Sequence, residues 1–204
     1  MATTEVNARE ERRAALLRAA REVLAEKGLE AAKISDIVAR AGVAQGTFYL
    51  YFPSKLSLVI ALAEDMDRQI LASTRAAVEG ARSLAEGIDA GVSAAFAEMG
   101  RYRDVLGIIE ARVGMIELRP QCEHLFQAYY AFIASMIERG QASGEVERNV
   151  NPEIAARLIV GVLEHAADEC YIYGLREPDE AYIHEVARFI RRGLGMADGS
   201  PAGR

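Results

Sequence analysis

The side chains that follow Gly42 carry groups suited to hydrogen bonding. They are an amide and three hydroxyls, all uncharged, at Gln45, Thr47, Tyr49 and Tyr51. Gly46 stands among them and leaves room for a phosphate or a base to approach the backbone. Side chains of this kind recognise the edges of base pairs in a DNA groove.

A lysine follows at the start of the next predicted helix. Pro53 and Ser54 predict a helix that begins with Ser54 as its N-cap and holds Lys55 in its first turn. Because a cation in the first turn opposes the helix dipole, this placement suggests a partner outside the helix. A phosphate held by both backbone amides and the ammonium is such a partner.

Two short helices are predicted to position these side chains. Apolar residues three or four apart indicate the first helix, which ends at Gly42. In the second helix, Phe48 and Phe52 lie four positions apart and mark the face that points inward. The apolar positions of the first helix are Ile34, Ile37, Val38 and Ala41. Two helices joined so tightly form a helix-turn-helix, whose second helix fits a DNA major groove.

The stretch Gly28 to Leu58 resembles the DNA-binding domain of the TetR family of transcriptional regulators. The segment A-G-V-A-Q-G-T-F-Y-L-Y-F-P-S-K is similar to the family signature without a gap. The resemblance implies base reading by Gln45, Gly46, Thr47 and Tyr49, and phosphate contacts by Tyr51 and Lys55, with a further contact from Ser35. Lys33 and Ala44 stand where a capping Thr and Ser are usual, and Val38 stands where a small Ala is frequent.

The same residues have plainer interpretations. A helix-turn-helix with these apolar positions also occurs as an ordinary helical corner. Tyr49 and Tyr51 are equally compatible with half-buried aromatic side chains, and a single lysine is usually solvated. The unbroken run from Gly42 to Lys55 favours DNA binding.

Composition predicts an all-α protein. The 204 residues suit one or two domains, and only 17 Gly and 5 Pro interrupt a chain rich in helix formers. No apolar run approaches the roughly 18 residues of a membrane span, and the first residues lack the features of a signal peptide. We therefore expect a cytoplasmic protein without a membrane partner.

Cys122 and Cys170 lie far apart, without a C-x-x-C motif or a His-rich neighbourhood. We expect reduced thiols in a core or pocket rather than a disulfide, with redox sensing as a minor alternative. The sequence predicts no metal site and no cofactor.

The negative net charge is unevenly distributed. Residues 1–55 hold nine Lys/Arg and seven Asp/Glu, net +2, which leaves 15 Lys/Arg and 23 Asp/Glu, net −8, for residues 56–204. Because DNA is negatively charged, it attracts the positive residues 1–55 and repels the acidic remainder, which favours an orientation with residues 1–55 towards DNA.

The helical pattern predicts two domains and a tail. A first helix from Asn7 to Gly28, after a disordered arm of Met1 to Val6, completes a helix-turn-helix domain over residues 1–54. A long helix from Ser54 to about Ala81 begins a larger effector-binding and dimerisation domain over residues 55–196. Residues 197–204 are predicted to be a disordered tail.

Further helices are predicted near 83–99, 101–116 and 120–142, with Pro120 in the first turn of the last. Their wide apolar faces suit either a filled core or a ligand cavity, and the resemblance implies an effector pocket. Candidate effector-binding residues are Phe96, Glu110, Val113, His124, Tyr129, His165, Glu169 and Tyr173.

The last two predicted helices, the first capped by Asn151 with Pro152 in its first turn, are apolar on more than one face. A surplus apolar face suits a partner subunit, and the resemblance implies a two-fold four-helix interface. The candidate interface residues are Leu158, Val162, Ala166, Ile183, Val186 and Ile190.

These patterns predict a homodimeric repressor that binds a palindromic double-stranded DNA operator and is released by a small apolar or amphipathic effector. The reading segment also resembles members that respond to fatty acyl thioesters. A DNA-binding regulator or activator without a ligand is the alternative. A small helical enzyme is remote, because the sequence lacks a G-x-S-x-G motif, a metal-spaced His/Cys set and a phosphate loop.

Overall fold

The computed structural model describes residues 2–113 and 126–196, without the side chains of residues 2–7 and 109–113. This part of the chain is all-α, as predicted, and contains no strand. Its helices are α1 (Ala2–Ala31), α2 (Ile34–Ala41), α3 (Gln45–Tyr51), α4 (Lys55–Glu79), α5 (Leu84–Arg101), α6 (Arg103–Val113), α7 (Gln127–Ser143), α8 (Pro152–Tyr171) and α9 (Glu180–Gly193).

The described residues form two compact units. The first contains residues 2–65 and 104–113, and the second contains residues 66–103 and 126–196. The sequence did not indicate that α6 belongs with the first helices. The functional division between residues 54 and 55 stays a prediction.

The core of the first unit is built from α1, α2, α3 and the start of α4. The predicted inner face of α1 is buried, at Leu16, Leu17, Ala20, Val23 and Leu24. Ile37 of α2, Phe48 of α3 and Leu58 of α4 are each 0% exposed. These contacts hold the helix-turn-helix on α1, because burying such large apolar side chains contributes about 1.5–3 kcal/mol each.

Helix α1 begins earlier than predicted. It starts at Ala2 rather than at Asn7, so the prediction of a disordered arm over the first six residues is wrong for the described positions. Neither Gly nor Pro stands between Ala2 and Asn7, so nothing in this segment breaks the helix. At its other end Gly28 has a left-handed φ of 73° and interrupts the helix as predicted, and helical geometry resumes up to Ala31.

Arg21 of α1 joins α6 within the first unit. Its Nε donates to Asp104 Oδ2 at 2.9 Å and its Nη2 donates to Asp104 Oδ1 at 2.7 Å. Burial alone raises the pKa of Asp104, but the hydrogen bonds and charge of Arg21 outweigh it and lower that pKa. This pairing joins residues 83 positions apart, which helical spacing does not predict.

The second unit packs α5, α7, α8 and α9 with the later turns of α4. Ser83, Asn151 and Asp179 cap α5, α8 and α9 by accepting a hydrogen bond from the backbone three residues on. Tyr171 of α8 donates to the Phe96 carbonyl of α5 at 2.9 Å, and Arg191 of α9 pairs with Asp89 of α5. Helix α7 ends at the left-handed Gly144, close to the predicted end, whereas Pro120 lies outside the described residues.

No single described helix has the length and apolarity to cross a membrane. Helices α3 and α4 meet these criteria only as a pair, with a bend of 58° at the break between them.

Candidate functional sites

Helix α3 buries one face and exposes the other. Phe48 is 0% exposed and Phe52 is 2% exposed, whereas Tyr49 is 50% exposed and Leu50 is 75% exposed. The ring of Tyr49 packs edge-on against Phe48 with their centroids 5.4 Å apart. This contact restrains Tyr49 while leaving much of its surface available to a partner.

The other predicted DNA contacts are accessible to different degrees. Gln45 and Gly46 are exposed at the start of α3, and Ser35 is exposed near the start of α2. Thr47 and Tyr51 are half-buried. Helix α3 thus brings five of the seven predicted residues onto one short segment.

Gly46 has no structural requirement inside the chain. Its φ is not positive, and a Cβ atom built on it meets nothing within 4 Å. Glycine inside a helix is less favourable than alanine by about 1 kcal/mol. A helical glycine that neither a turn nor packing demands is consistent with close approach by something outside the chain.

Lys55 has partners that the sequence did not reveal. Its Nζ donates to the carbonyl oxygen of Leu29 at 2.6 Å and to that of Ala32 at 3.0 Å. Ser54 caps α4 as predicted, because its Oγ accepts from the Ser57 backbone at 3.1 Å. Two of the three ammonium hydrogens therefore satisfy one carbonyl at the end of α1 and one just after it, and the third is left over.

The start of α2 is capped in an unusual way. Lys33 makes no side-chain cap, but its backbone N–H donates to Asp36 Oδ2 at 3.1 Å. Lys27 Nζ lies 3.0 Å from the same oxygen, and hydrogen bonds from Lys27 and from the Lys33 backbone lower the pKa of Asp36. The Lys33 ammonium is exposed, and its charge also lowers the pKa of Asp36.

Other cations of the first unit divide into paired and unpaired groups. Arg40 of α2 donates to Glu22 at 2.9 Å and to Glu26 at 2.8 Å, and its hydrogen bond lowers the pKa of Glu26. Unpaired, exposed arginines on α1, within the described residues, are Arg9, Arg12 and Arg18. The unpaired arginines give this part of the unit local positive charge.

Leu50 is a surface residue that the sequence analysis did not select. It lies two positions from both Phe48 and Phe52, so helical spacing alone places it on the face opposite the buried rings. Its large exposure on α3 suits an apolar contact with a thymine methyl group.

The predicted effector-binding residues with described side chains differ in their exposure. Phe96 is 0% exposed and packs against Tyr171 and Tyr182, and Tyr129 is 4% exposed, with its hydroxyl 3.3 Å from Thr74 Oγ1. His165 and Tyr173 are exposed. His124, and the side chains of Glu110 and Val113, lie outside the description.

Glu169 also has a defined contact with a neighbouring helix. Tyr182 of α9 donates to its Oε2 at 2.8 Å, and Arg176 lies 3.9 Å from the same oxygen. Burial, together with that hydrogen bond, raises the pKa of Tyr182 to about 12. The adjacent Cys170 is a half-buried free thiol, and its pKa is raised by burial and nearby carboxylates, which disfavours the reactive thiolate.

The predicted dimer residues divide into surface and core. Leu158 is 65% exposed, and Val162 and Ile183 are half-buried. Ala166, Val186 and Ile190 are only 6%, 8% and 5% exposed, so they belong to the core of the unit and their assignment to a free surface is corrected. The apolar side chains that α8 and α9 do expose are Ile154, Leu158 and Phe189.

Comparison with known proteins identifies the family. The family model "Bacterial regulatory proteins, tetR family" matches residues 16–62, and the model "Tetracyclin repressor-like, C-terminal domain" matches residues 88–194. The chain belongs to the TetR family. It is therefore a DNA-binding transcriptional regulator and not an enzyme.

Two relatives from Bacillus subtilis are similar over most of the chain. The HTH-type transcriptional regulator YvdT is 34% identical over 183 residues, 89% of this chain and 94% of the relative. The Fatty acid metabolism regulator protein is 26% identical over 73% of this chain and 78% of the relative.

Solved TetR-family structures share the fold. A TetR-family regulator from Syntrophomonas wolfei superimposes with a TM-score of 0.80 at 23% identity, covering 94% of this chain and 99% of that one. The regulator FadR from Bacillus subtilis, in complex with stearoyl-CoA, superimposes with a TM-score of 0.76 at 23% identity. The match covers 88% of this chain and 98% of that one.

Proposed function

We propose that this TetR-family protein is a homodimeric repressor that places α3 of each subunit in the major groove of a palindromic operator. The exposed, uncharged hydrogen-bonding face of α3, opposite the buried Phe48 and Phe52, carries the proposal. In it, Gln45, Thr47 and Tyr49 contact bases, and Gly46 lets the duplex approach the helix. Leu50 adds an apolar contact to the same face.

Phosphate contacts complete the proposed interface. Tyr51, Ser35 and the remaining hydrogen of Lys55 contribute them, and the exposed ammonium of Lys33 adds a charge close to Ser35 in the sequence. Because these contacts release counterions, the affinity depends strongly on salt.

The dimer is proposed to form through the exposed apolar face of α8 and α9. Ile154 is 59% exposed, Leu158 is 65% exposed and Phe189 is 64% exposed, which is unfavourable for a free monomer. Two-fold packing of this face makes a four-helix interface and places two copies of α3 about 34–36 Å apart, one turn of DNA.

An acyl-chain effector is proposed to release the operator. Support comes from relatives whose names refer to fatty acid metabolism and to a stearoyl-CoA complex. Release requires only that the effector bind the DNA-incompetent conformation more tightly, because the two binding equilibria are then linked.

Selection from random duplex DNA at a stated salt concentration tests the proposal. We expect a palindrome whose half-sites lie about one turn apart, and repression of a reporter that carries it. An asymmetric sequence, or no enrichment at low salt, contradicts the operator proposal, and stimulation of the reporter contradicts the repressor proposal.

A further inference from the structure

An open groove crosses the second unit at a position that the sequence did not predict. Its volume is about 1030 Å³, and it lies between the end of α4, the start of α5 and α7. The volume is at the upper end of the roughly 300–1,000 Å³ usual for ligand sites. None of the five predicted effector residues with described side chains lines it.

The floor of the groove is apolar. Val78 of α4, Leu84 of α5 and Met136 of α7 line it, and Phe132 of α7 lies beside them. Gly140 allows α7 to approach the start of α5, because a Cβ there lies only 2.5 Å from Leu84 Cδ2.

Arginines stand at the rim. The Arg75 guanidinium lies 5.2 Å above the centre of the Phe132 ring, and Arg139 donates to Ser135 Oγ at 3.3 Å. Neither has a carboxylate partner among residues 2–113 and 126–196, whereas Arg82 is paired with Glu86 at 3.2 Å. Two cations above an apolar floor suit a ligand with an anionic head and an apolar chain.

Glu79 and Glu145 also line the groove, and neither forms an ion pair with Arg75 or Arg139 in the described part of the chain. Both oxygens of Glu145 are engaged, Oε2 by the Leu84 backbone N–H at 3.1 Å and Oε1 by the Ser143 hydroxyl at 2.9 Å. Glu79 is exposed and is the other lining carboxylate among the described residues. Arg75 and Arg139 are therefore the lining arginines that no described carboxylate pairs with directly.

We propose that this groove binds a single-chain anionic amphipath of the acyl-CoA class. The acyl chain lies on Val78, Leu84, Phe132 and Met136, and the anionic head is held by Arg75 and Arg139. The effect of this binding on DNA rests on the proposed function, whereas the binding itself does not.

Calorimetric titration of the full-length, DNA-free protein with stearoyl-CoA, kept below its micellar concentration, tests the site. Arg75→Glu/Arg139→Glu is expected to weaken binding by about tenfold or more, about 1.4 kcal/mol. Arg148→Glu is the matched control, because Arg148 is exposed on the same unit but outside the groove, and it should bind as the original protein does. Stearylamine, with the same chain and the opposite charge, should bind weakly to the original protein.

A steric variant tests the floor independently of charge. Ala131 and Ala142 are both exposed on α7, but only Ala131 lines the groove. Ala131→Trp should abolish binding and Ala142→Trp should leave it unchanged. Circular dichroism of each variant verifies folding, and neither alanine contributes to the core.

The outcomes separate the two proposals. If stearoyl-CoA does not bind, the groove is not the site. The same follows if the double-arginine variant and Ala131→Trp each bind stearoyl-CoA as tightly as the original protein does. If it releases the operator equally from these variants, the proposed function stands and the groove proposal falls. If stearoyl-CoA binds in the groove but the protein stays on the operator, the groove proposal is supported and the proposal of ligand-controlled release is contradicted.

Discussion

The ammonium of Lys55 lies 2.6 Å from the carbonyl oxygen of Leu29, and this bond ties the first turn of α4 to the end of α1. Lys55→Met removes the donor and leaves the carbonyls of Leu29 and Ala32 without this partner. We expect the free energy of unfolding to fall by about 1–3 kcal/mol in urea denaturation. Lys33→Met, at an exposed lysine of the same unit, should change stability by less than about 0.5 kcal/mol.

The same two variants test the phosphate contacts. Each should lower the slope of log affinity against log salt by about one, whatever the DNA sequence. A slope that Lys55→Met leaves unchanged, together with lower stability, would mean that Lys55 positions the helices without touching DNA.

Gly46→Ala is expected to separate stability from DNA binding. The added methyl group meets nothing within 4 Å, so helix propensity should stabilise the protein by up to about 1 kcal/mol. Operator affinity in a gel-shift titration should nevertheless fall, because the duplex loses its close approach. Gly107→Ala on α6 is the matched control, since its methyl group also enters open space. Equal DNA affinity for both variants would remove Gly46 from the interface.

Substituting glutamate for each of two exposed leucines should separate dimerisation from operator binding. Leu158→Glu places a charge on the proposed dimer face, and sedimentation should show a monomer. Leu50→Glu changes α3, where Leu50 is 75% exposed, and should leave the dimer intact while weakening operator binding. A dimeric Leu158→Glu protein would locate the interface elsewhere.

Asp67 should make stability depend on pH. Burial raises the pKa of its carboxyl from 3.8 to about 6 in the folded protein. The stabilisation from its neutral form is fully present below about 3.8 and is lost as the pH rises through about 6.

Asp67→Asn cannot ionise. Near neutral pH, Asp67→Asn removes the cost of a partly buried carboxylate and should raise the free energy of unfolding by about 1 kcal/mol. This value is reduced because the carboxyl is partly exposed. The gain should disappear in urea titrations at a pH below 4, whereas Glu138→Gln, at an exposed position of α7, should change little at either pH. A gain that persists in acid would mean that Asp67 acts through packing rather than charge.

Local signals in the sequence predicted much of the helical framework. Gly42, Ser54, Ser83 and Asn151 act on their immediate neighbours, so the ends that they determine are visible without a structure. The spacing of Phe48 and Phe52 likewise predicted that both rings are buried. It also predicted that the polar face of α3 points outward. Asn7 did not begin α1, because a possible cap does not stop a helix that has no breaker before it.

Long-range partners were decided by the tertiary structure. The sequence by itself determined the all-α class, the helix-turn-helix and the residues that α3 presents. Only the fold decided that Lys55 bonds the end of α1, that Arg21 pairs with Asp104, and that Ala166, Val186 and Ile190 are core rather than surface. The groove between Arg75 and Arg139 also depends on the fold. Helical periodicity shows which residues share a face, but which neighbour covers that face depends on packing between segments distant in the chain.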